Sequence, residues 1–335
     1  MRLSLRHRGV NMEHWSKYWH TSGVLNSFAE GDANSGYTGD LQKFWEQQLK
    51  DVPRGATVID LGTGNGALAL LAQNFGITNQ KEFAVHGIDA AKINPVEQFE
   101  KSPAIARKLK KIEFHSETPI EKMPFDADAI DVMIAQFAFE YAPQKQALEA
   151  VIKQLKPQGK FVAVMHHTDS ALVKDSKVGV TVLTEILENT PLFQQSDMLL
   201  DLASQAIPQI GADGWANYPH NQVLTRSIQW MMKALQEKFS KPQELNYVND
   251  VVRRIARIFE VMNAKNLDDC KRQLAYEYHV LNDHRLRLQD QLEAALNKKQ
   301  ATALVKAAEK QGASAELDIL EIDGSPFGWT LKLTK

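Results

Sequence analysis

Three glycines, Gly62, Gly64 and Gly66, directly follow the β-rich run Thr57–Leu61 and directly precede a helical pattern over Ala67–Phe75. Glycine lets the backbone approach a ligand closely, and the free N–H groups at a helix start then point at it. Asp89 closes the next apolar run, Phe83–Ile88, where a carboxylate is placed to accept both hydroxyls of a ribose. Together these residues describe a site for an adenosine-containing ligand. Gly62, Gly64 and Ala67 also satisfy the dinucleotide fingerprint G-x-G-x-x-G/A, so a nicotinamide-dependent oxidoreductase is one reading. Two features point away from it. The glycines run G-x-G-x-G, and Asp60 stands at the strand end just before them. A carboxylate there repels a pyrophosphate and suits a cationic amino-acid group.

The other candidates for chemistry also sit at strand ends. His166 and His167 follow the apolar run Lys160–Met165, and Glu140 and Tyr141 follow Ala129–Gln136. In a parallel sheet these carboxyl ends face the ligand crevice, so all four residues are candidates for holding or accepting a proton. The competing readings are plain hydrogen bonding for the histidines and packing for Glu140 and Tyr141. Strand alternation turns one histidine to the crevice and the other to a helix. No His, Asp or Glu spacing describes a metal site.

The elements that must position these groups alternate. Strands at Thr57–Leu61, Phe83–Ile88, Lys111–His115, Ala129–Gln136 and Lys160–Met165 are separated by helical segments, including Ala67–Phe75 and Lys145–Leu155, with a turn at Lys156-Pro157-Gln158-Gly159. This pattern predicts an α/β fold, with a parallel sheet covered on both faces. From about Asp169 to Asn297 the period changes to helical spacing, as in Leu224, Ile228, Met231, Leu235 and Phe239. Leu274, Leu281 and Leu288 recur every seventh residue, which fits a coiled-coil seam or a helix packed on its own domain. After the helix Thr302–Lys310, two strands, Glu316–Ile322 and Trp329–Leu333, flank Asp323-Gly324-Ser325-Pro326. They predict a terminal antiparallel pair.

In sequence order, Val58-Ile59-Asp60-Leu61-Gly62-Thr63-Gly64-Asn65-Gly66, Gly87-Ile88-Asp89, Ile120-Glu121-Lys122-Met123-Pro124-Phe125, Ala135 to Tyr141 and Leu155-Lys156-Pro157-Gln158-Gly159-Lys160 resemble the successive motifs of the class I S-adenosylmethionine-dependent methyltransferases. The resemblance covers about residues 44–167 and 313–335, and the helical middle lies outside it. It implies a Rossmann-like seven-stranded sheet, mostly parallel with an antiparallel last strand, plus a helical insertion after strand five. The domains implied are 1–43 as leader and helical cap, 44–168 with 298–335 as the catalytic domain, and 169–297 as a helical insertion serving as substrate cap.

The resemblance also implies S-adenosyl-L-methionine as cofactor. Gly62, Thr63, Gly64 and Asn65 would lie against its methionine part, with Asp60 near the ammonium, and Asp89 with Ala90 on the ribose. Thr118, Pro119 and Ile120 would flank adenine, Gln136 would line the methionine end, and Tyr18 and Tyr37 would close over the adenosyl group. Trp15 and Trp19 read as the apolar face of a helix in His14-Trp15-Ser16-Lys17-Tyr18-Trp19-His20. The family's Asn/Asp-Pro-Pro-aromatic tetrad for nucleic-acid amines is replaced by Ala135-Gln136-Phe137-Ala138, and no cysteine stands near the sheet edge for a thiolate mechanism.

Across 335 residues, 39 Lys and Arg against 41 Asp and Glu exclude a polyanion-binding surface over the whole molecule. A local basic feature remains at Arg253, Arg254 and Arg257. The single Cys270 fits a reducing compartment, and no run is apolar enough for a membrane helix. Arg2, Arg6 and Arg8 lie in a leader without an apolar core, and Met12 reads as an alternative start. The expectation is a cytoplasmic enzyme, a monomer or homodimer without membrane or nucleic-acid partners, that methylates O or N of a small-molecule acceptor. The alternatives are a protein or RNA methyltransferase docking through the basic helices, and a binding module without transfer activity.

Overall fold

The computed structural model describes residues 12–26 and 36–335; the leader with Arg2, Arg6 and Arg8 lies outside them. Seven strands form one sheet: β1 Thr57–Leu61, β2 Ala84–Ile88, β3 Glu113–His115, β4 Ile130–Gln136, β5 Leu155–His166, β6 Ser314–Ile322 and β7 Ser325–Thr334. Their order is β3-β2-β1-β4-β5-β7-β6. The first five run parallel and β7 runs antiparallel to both neighbours, which is the expected mixed Rossmann-like sheet. The described helices are α1 Glu13–Thr21, α2 Gly39–Leu49, α3 Ala67–Thr78, α4 Pro95–Gln98, α5 Pro103–Leu109, α6 Gln144–Gln154, α7 Ala171–Thr184, α8 Leu192–Ala216, α9 Pro219–Lys238, α10 Pro242–Val261, α11 Leu267–Ala294 and α12 Lys298–Glu309.

The strands are apolar on both sides because both faces are covered. Side chains alternate between faces along a strand. Ile59, Leu61, Met133, Ala135, Phe161 and Ala163 accordingly join one buried cluster with residues of α6 and α12. Val58, Val132, Ile134, Val162 and Val164 join a second with α2 and α3. Helix α3, ALALLAQNFGIT, is apolar around most of its surface, as burial against both the sheet and α2 requires.

The segment expected as a turn at Lys156-Pro157-Gln158-Gly159 belongs instead to β5. Leu155 pairs with Ile130, the register then shifts, and Lys160 pairs with Val132. The surplus residues are taken up by Gln158 at φ +66 and by Gly159, where a Cβ would stand 2.8 Å from the Lys156 carbonyl oxygen. The terminal hairpin turns on Asp323 and Gly324, both at positive φ, with Ile322 opposite Ser325. This is the two-residue turn favoured by strand twist.

The chain divides into two compact units, one of residues up to Val173 with Glu293–Lys335, the other Lys174–Leu292. The first unit reaches further than the expected boundaries at 168 and 298. Leu296 donates its N–H to the His166 carbonyl and its own carbonyl accepts from Thr168 N–H, so the returning chain is tied to the end of β5. The second unit is helical throughout its described elements. Leu274, Leu281 and Leu288 are buried in its own core with Val248, Val251 and Ile255, so the heptad stripe is intradomain packing. No helix among the described residues is long and apolar enough to cross a membrane.

Candidate active site

Strand β1 ends on Asp60 and Leu61, and the chain turns through the glycine loop into α3. The loop is anchored by Gly62 and Thr63, whose N–H groups both donate to the Ile88 carbonyl at 2.8 and 2.9 Å. Gly62, Gly64 and Gly66 lie at φ +68, +52 and +89, where side chains bring strain. Space is equally restrictive: a Cβ on Gly62 would stand 2.3 Å from the Ala138 Cβ, and one on Gly64 would stand 2.5 Å from the Trp19 indole.

Two buried carboxylates flank the loop. Asp60 accepts from Thr63 Oγ1 at 2.7 Å and Ala69 N–H at 3.0 Å. Asp89 accepts from Gly64 N–H and Ala91 N–H, each at 2.8 Å. No lysine or arginine among the described residues pairs with either. Burial pushes Asp60 up to about 7, against the hydrogen bonds from Thr63 and Ala69, and pushes Asp89 up to about 6. The Tyr37 phenol is pushed well up, first by burial and then by the charge of Asp60, so Tyr37 belongs to the same neighbourhood. Beside Asp89, Thr118 donates its N–H to the Asp89 carbonyl at 2.7 Å, which brings Thr118, Pro119 and buried Ile120 to the loop. Ala90 is half-buried at the same strand end.

Gln136, at the end of β4, receives the Trp45 indole N–H on Oε1 at 2.5 Å, and its Nε2 is buried with no hydrogen-bond partner. Asn65 donates from Nδ2 to the carbonyls of Trp19 and Val24, tying the N-terminal segment to the loop, while its Oδ1 is buried and unpartnered. Trp19 covers Gly64. Tyr18 instead packs edge-on against Trp19 and Trp15.

Three of the four acid–base candidates, His166, Tyr141 and Glu140, come together, and His167 has other partners. His166 is buried and stacked on Phe137, with ring centroids 4.1 Å apart. Its Nε2 lies 3.1 Å from the Tyr141 hydroxyl, and its Nδ1 is buried without a partner. Burial pushes its pKa down to about 3, so the ring is neutral. Glu140 accepts the His166 backbone N–H on Oε1 at 2.7 Å and leaves Oε2 buried and unpartnered. Burial raises it to about 8, against opposing backbone N–H groups. His167 stacks on Trp329 and accepts the Asp169 N–H on Nδ1 at 2.9 Å, the posture of a residue that shapes the turn after β5.

Sequence reasoning missed Trp19 as the cover of Gly64 and Trp45 as the partner of Gln136. Both lie on helices whose apolar stripe explains a tryptophan without a ligand, so no local signal marked them. The arginine cluster is largely neutralised within the second unit. Arg254 bridges Asp250 and Glu277 at 2.8 and 2.6 Å, and Arg253 meets Asp250 at 3.1 Å.

S-adenosylmethionine fits this set of groups. Two buried carboxylates without cations suit an ammonium and ribose hydroxyls, the orphaned Gln136 amide and Asn65 carbonyl await polar partners, and the glycine cradle admits no side chain. Comparison with known proteins agrees in kind. Residues 53–209 match the family model described as a methyltransferase domain, and no curated protein matches the chain. Among solved structures, similarity extends to a chain of the Haloferax volcanii Trm112 methyltransferase activator complex, at 25% identity and TM-score 0.28 over 37% of this chain and 50% of that one. It extends to a SAM-dependent methyltransferase from Aquifex aeolicus, at 22% and 0.30 over 37% and 65%. A third is geranyl diphosphate C-methyltransferase from Streptomyces coelicolor A3(2), at 18% and 0.33 over 45% and 62%. The chain thus spans between half and about two thirds of these relatives' lengths. Residues 53–209 thus match a methyltransferase domain, set on a mixed seven-stranded sheet with a glycine loop whose groups suit S-adenosylmethionine.

Proposed function

We propose that the chain transfers a methyl group to an oxygen or nitrogen atom of a small-molecule acceptor by in-line displacement. The observation that carries this reading is the Tyr141–His166 pair at the carboxyl ends of β4 and β5, because it offers polar atoms to an acceptor. When bound, S-adenosylmethionine supplies an electrophilic methyl on a sulfonium. The protein's own work is then alignment and exclusion of water. Asp60 and Asp89 hold the loop and take the cofactor's donors, Gln136 presents a fixed N–H, and Trp19 shields the glycines. A neutral imidazole whose pKa is pushed down to about 3 is a poor permanent proton store and a sound hydrogen-bond acceptor. His166 therefore orients the Tyr141 hydroxyl, and Tyr141 directs the acceptor's lone pair. Glu140 acts beneath them by pinning the His166 backbone. His167 contributes through the turn.

Incubating the protein with S-adenosylmethionine and a metabolite extract tests the reading. S-adenosylhomocysteine should be released together with a product one methylene unit heavier, and Tyr141→Phe should slow it. Product that disappears after protease or nuclease pretreatment of the extract would assign the acceptor to a macromolecule. Binding of cofactor with no transfer to any fraction would leave a binding module.

A further inference from the structure

Strand β3 is the edge of the sheet, and its register with β2 sets His86 opposite Glu113 and Ile88 opposite His115. Glu113 and His115 are two residues apart and share one face of the strand. The register brings His86 to that same face. His86 Nδ1 lies 3.3 Å from His115 Nε2 and 3.5 Å from Glu113 Oε2, while Glu113 Oε1 lies 3.7 Å from His115 Nε2. The two imidazoles are nearly parallel, at 21°, and Phe125 sets its ring edge-on against both. An apolar wall thus holds the rings, while the carboxylate side opens to solvent, Glu113 being 65% exposed.

Zinc bonds of about 2.0–2.1 Å in tetrahedral geometry place neighbouring ligand atoms roughly 3.3–3.4 Å apart. The two ring nitrogens stand at that separation, the two carboxylate distances are made by different oxygens of Glu113, and one donor atom from each of the three residues can be chosen with all of them within 4.8 Å of one another. A hydrogen bond between the rings would account for one separation of the three, at a length above the usual about 2.9–3.0 Å. We propose that His86, Glu113 and His115 form a binding site for a divalent transition-metal ion of the zinc type, three protein ligands with the fourth position open to solvent. Two imidazoles and one carboxylate suit such an ion, whereas magnesium and calcium prefer all-oxygen shells. Spacing along the chain hid the site because the ligands come from two strands and meet only through the register.

The test uses the full, tag-free chain freed of metal by chelator dialysis and titrated with Zn²⁺ by calorimetry. One ion per chain should bind with micromolar or tighter affinity, weakened at least about tenfold by His86→Asn or His115→Asn and several-fold by Glu113→Gln. Far-UV circular dichroism and S-adenosylmethionine affinity report whether each variant is folded. If the histidine variants unfold, the exposed Glu113→Gln and the wild-type Co²⁺ spectrum decide, intense visible bands of four-coordinate cobalt being expected. Absence of saturable binding at micromolar metal, affinity unchanged in a folded His86→Asn or His115→Asn chain, or only the pale spectrum of hydrated cobalt would overturn the proposal.

Discussion

Trp45 donates its indole N–H to the side-chain carbonyl of Gln136, 91 residues further along the chain. The bond settles which way the amide points: Oε1 is taken from behind by a fully buried ring, so Nε2 is the end left without a partner. An amide free to flip would offer a donor or an acceptor, whereas this one offers a donor. Trp45→Phe keeps an aromatic ring but removes the N–H together with part of a fully buried indole. Unfolding free energy from urea titration should fall by about 1–3 kcal/mol for the acceptor left behind, and further for the cavity. S-adenosylmethionine should bind several-fold more weakly by calorimetry. Unchanged affinity would detach the amide's orientation from the cofactor.

Asp89→Ala should weaken S-adenosylmethionine binding by roughly ten- to a hundredfold, the scale of one or two charge-assisted hydrogen bonds. The carboxylate also restrains the Gly64 and Ala91 N–H groups, so circular dichroism must show a folded variant. An affinity equal to wild type removes the ribose assignment.

Gly64→Ala puts a methyl group against Trp19 at a backbone angle that disfavours it. Something must move, and the indole on α1 is the softer neighbour. Tryptophan emission should shift to the red as Trp19 becomes wetter, with weaker cofactor binding alongside. Emission and affinity both matching wild type would show that the loop accommodates the methyl group unaided.

Asp60, Asp89 and Glu140 are pushed up to about 7, 6 and 8 from ordinary carboxylate values. Between the ordinary range and those raised values each of these carboxyls binds its proton more tightly in the folded chain, so each makes stability fall as pH rises. Below about pH 6.5 His166 and His284 work the other way, because burial pushes them down to about 3 and 4 and the unfolded chain protonates them first. From about pH 6.5 to pH 8 the urea midpoint of the cofactor-free protein should therefore decline, through Asp60 and Glu140, and Asp60→Asn should lessen the decline up to about pH 7. A midpoint that rises between pH 6.5 and pH 8 would contradict the burial argument.

Removing 174–292 and joining Val173 to Glu293 should leave S-adenosylmethionine affinity within about threefold of wild type, since every cofactor group named above lies in the first unit. The junction respects Leu296, which pairs with His166 and Thr168. A soluble, folded truncation that has lost the cofactor would show that the second unit contributes to that site.

The sheet and the loop were legible because their signals are local. A β-branched run, three glycines and a carboxylate at the next strand end are neighbours in sequence, and alternating periods predict the layers around them. What stayed hidden depends on contact across the chain. Trp19 and Trp45 look like ordinary helix-face aromatics until α1 and α2 are docked. His86, Glu113 and His115 converge only through a strand register. The His166-His167 pair gave no choice in the sequence, and the stacking on Phe137 and on Trp329 separates them. At the other end of β5, the bulge absorbed a Lys-Pro-Gln-Gly segment whose composition alone spells a turn.

The position of β7 has a consequence for synthesis. β5 pairs with β4 on one side and with β7 on the other, and β7 is translated only after the whole helical unit. Until it emerges from the ribosome, a long apolar strand waits with one row of N–H and C=O groups unpaired, through the making of the whole helical unit. Such an exposed edge invites pairing with another nascent chain. The hairpin at Asp323-Gly324 then acts as a late closure, and loss of Ser325–Thr334 should be felt first as aggregation during expression.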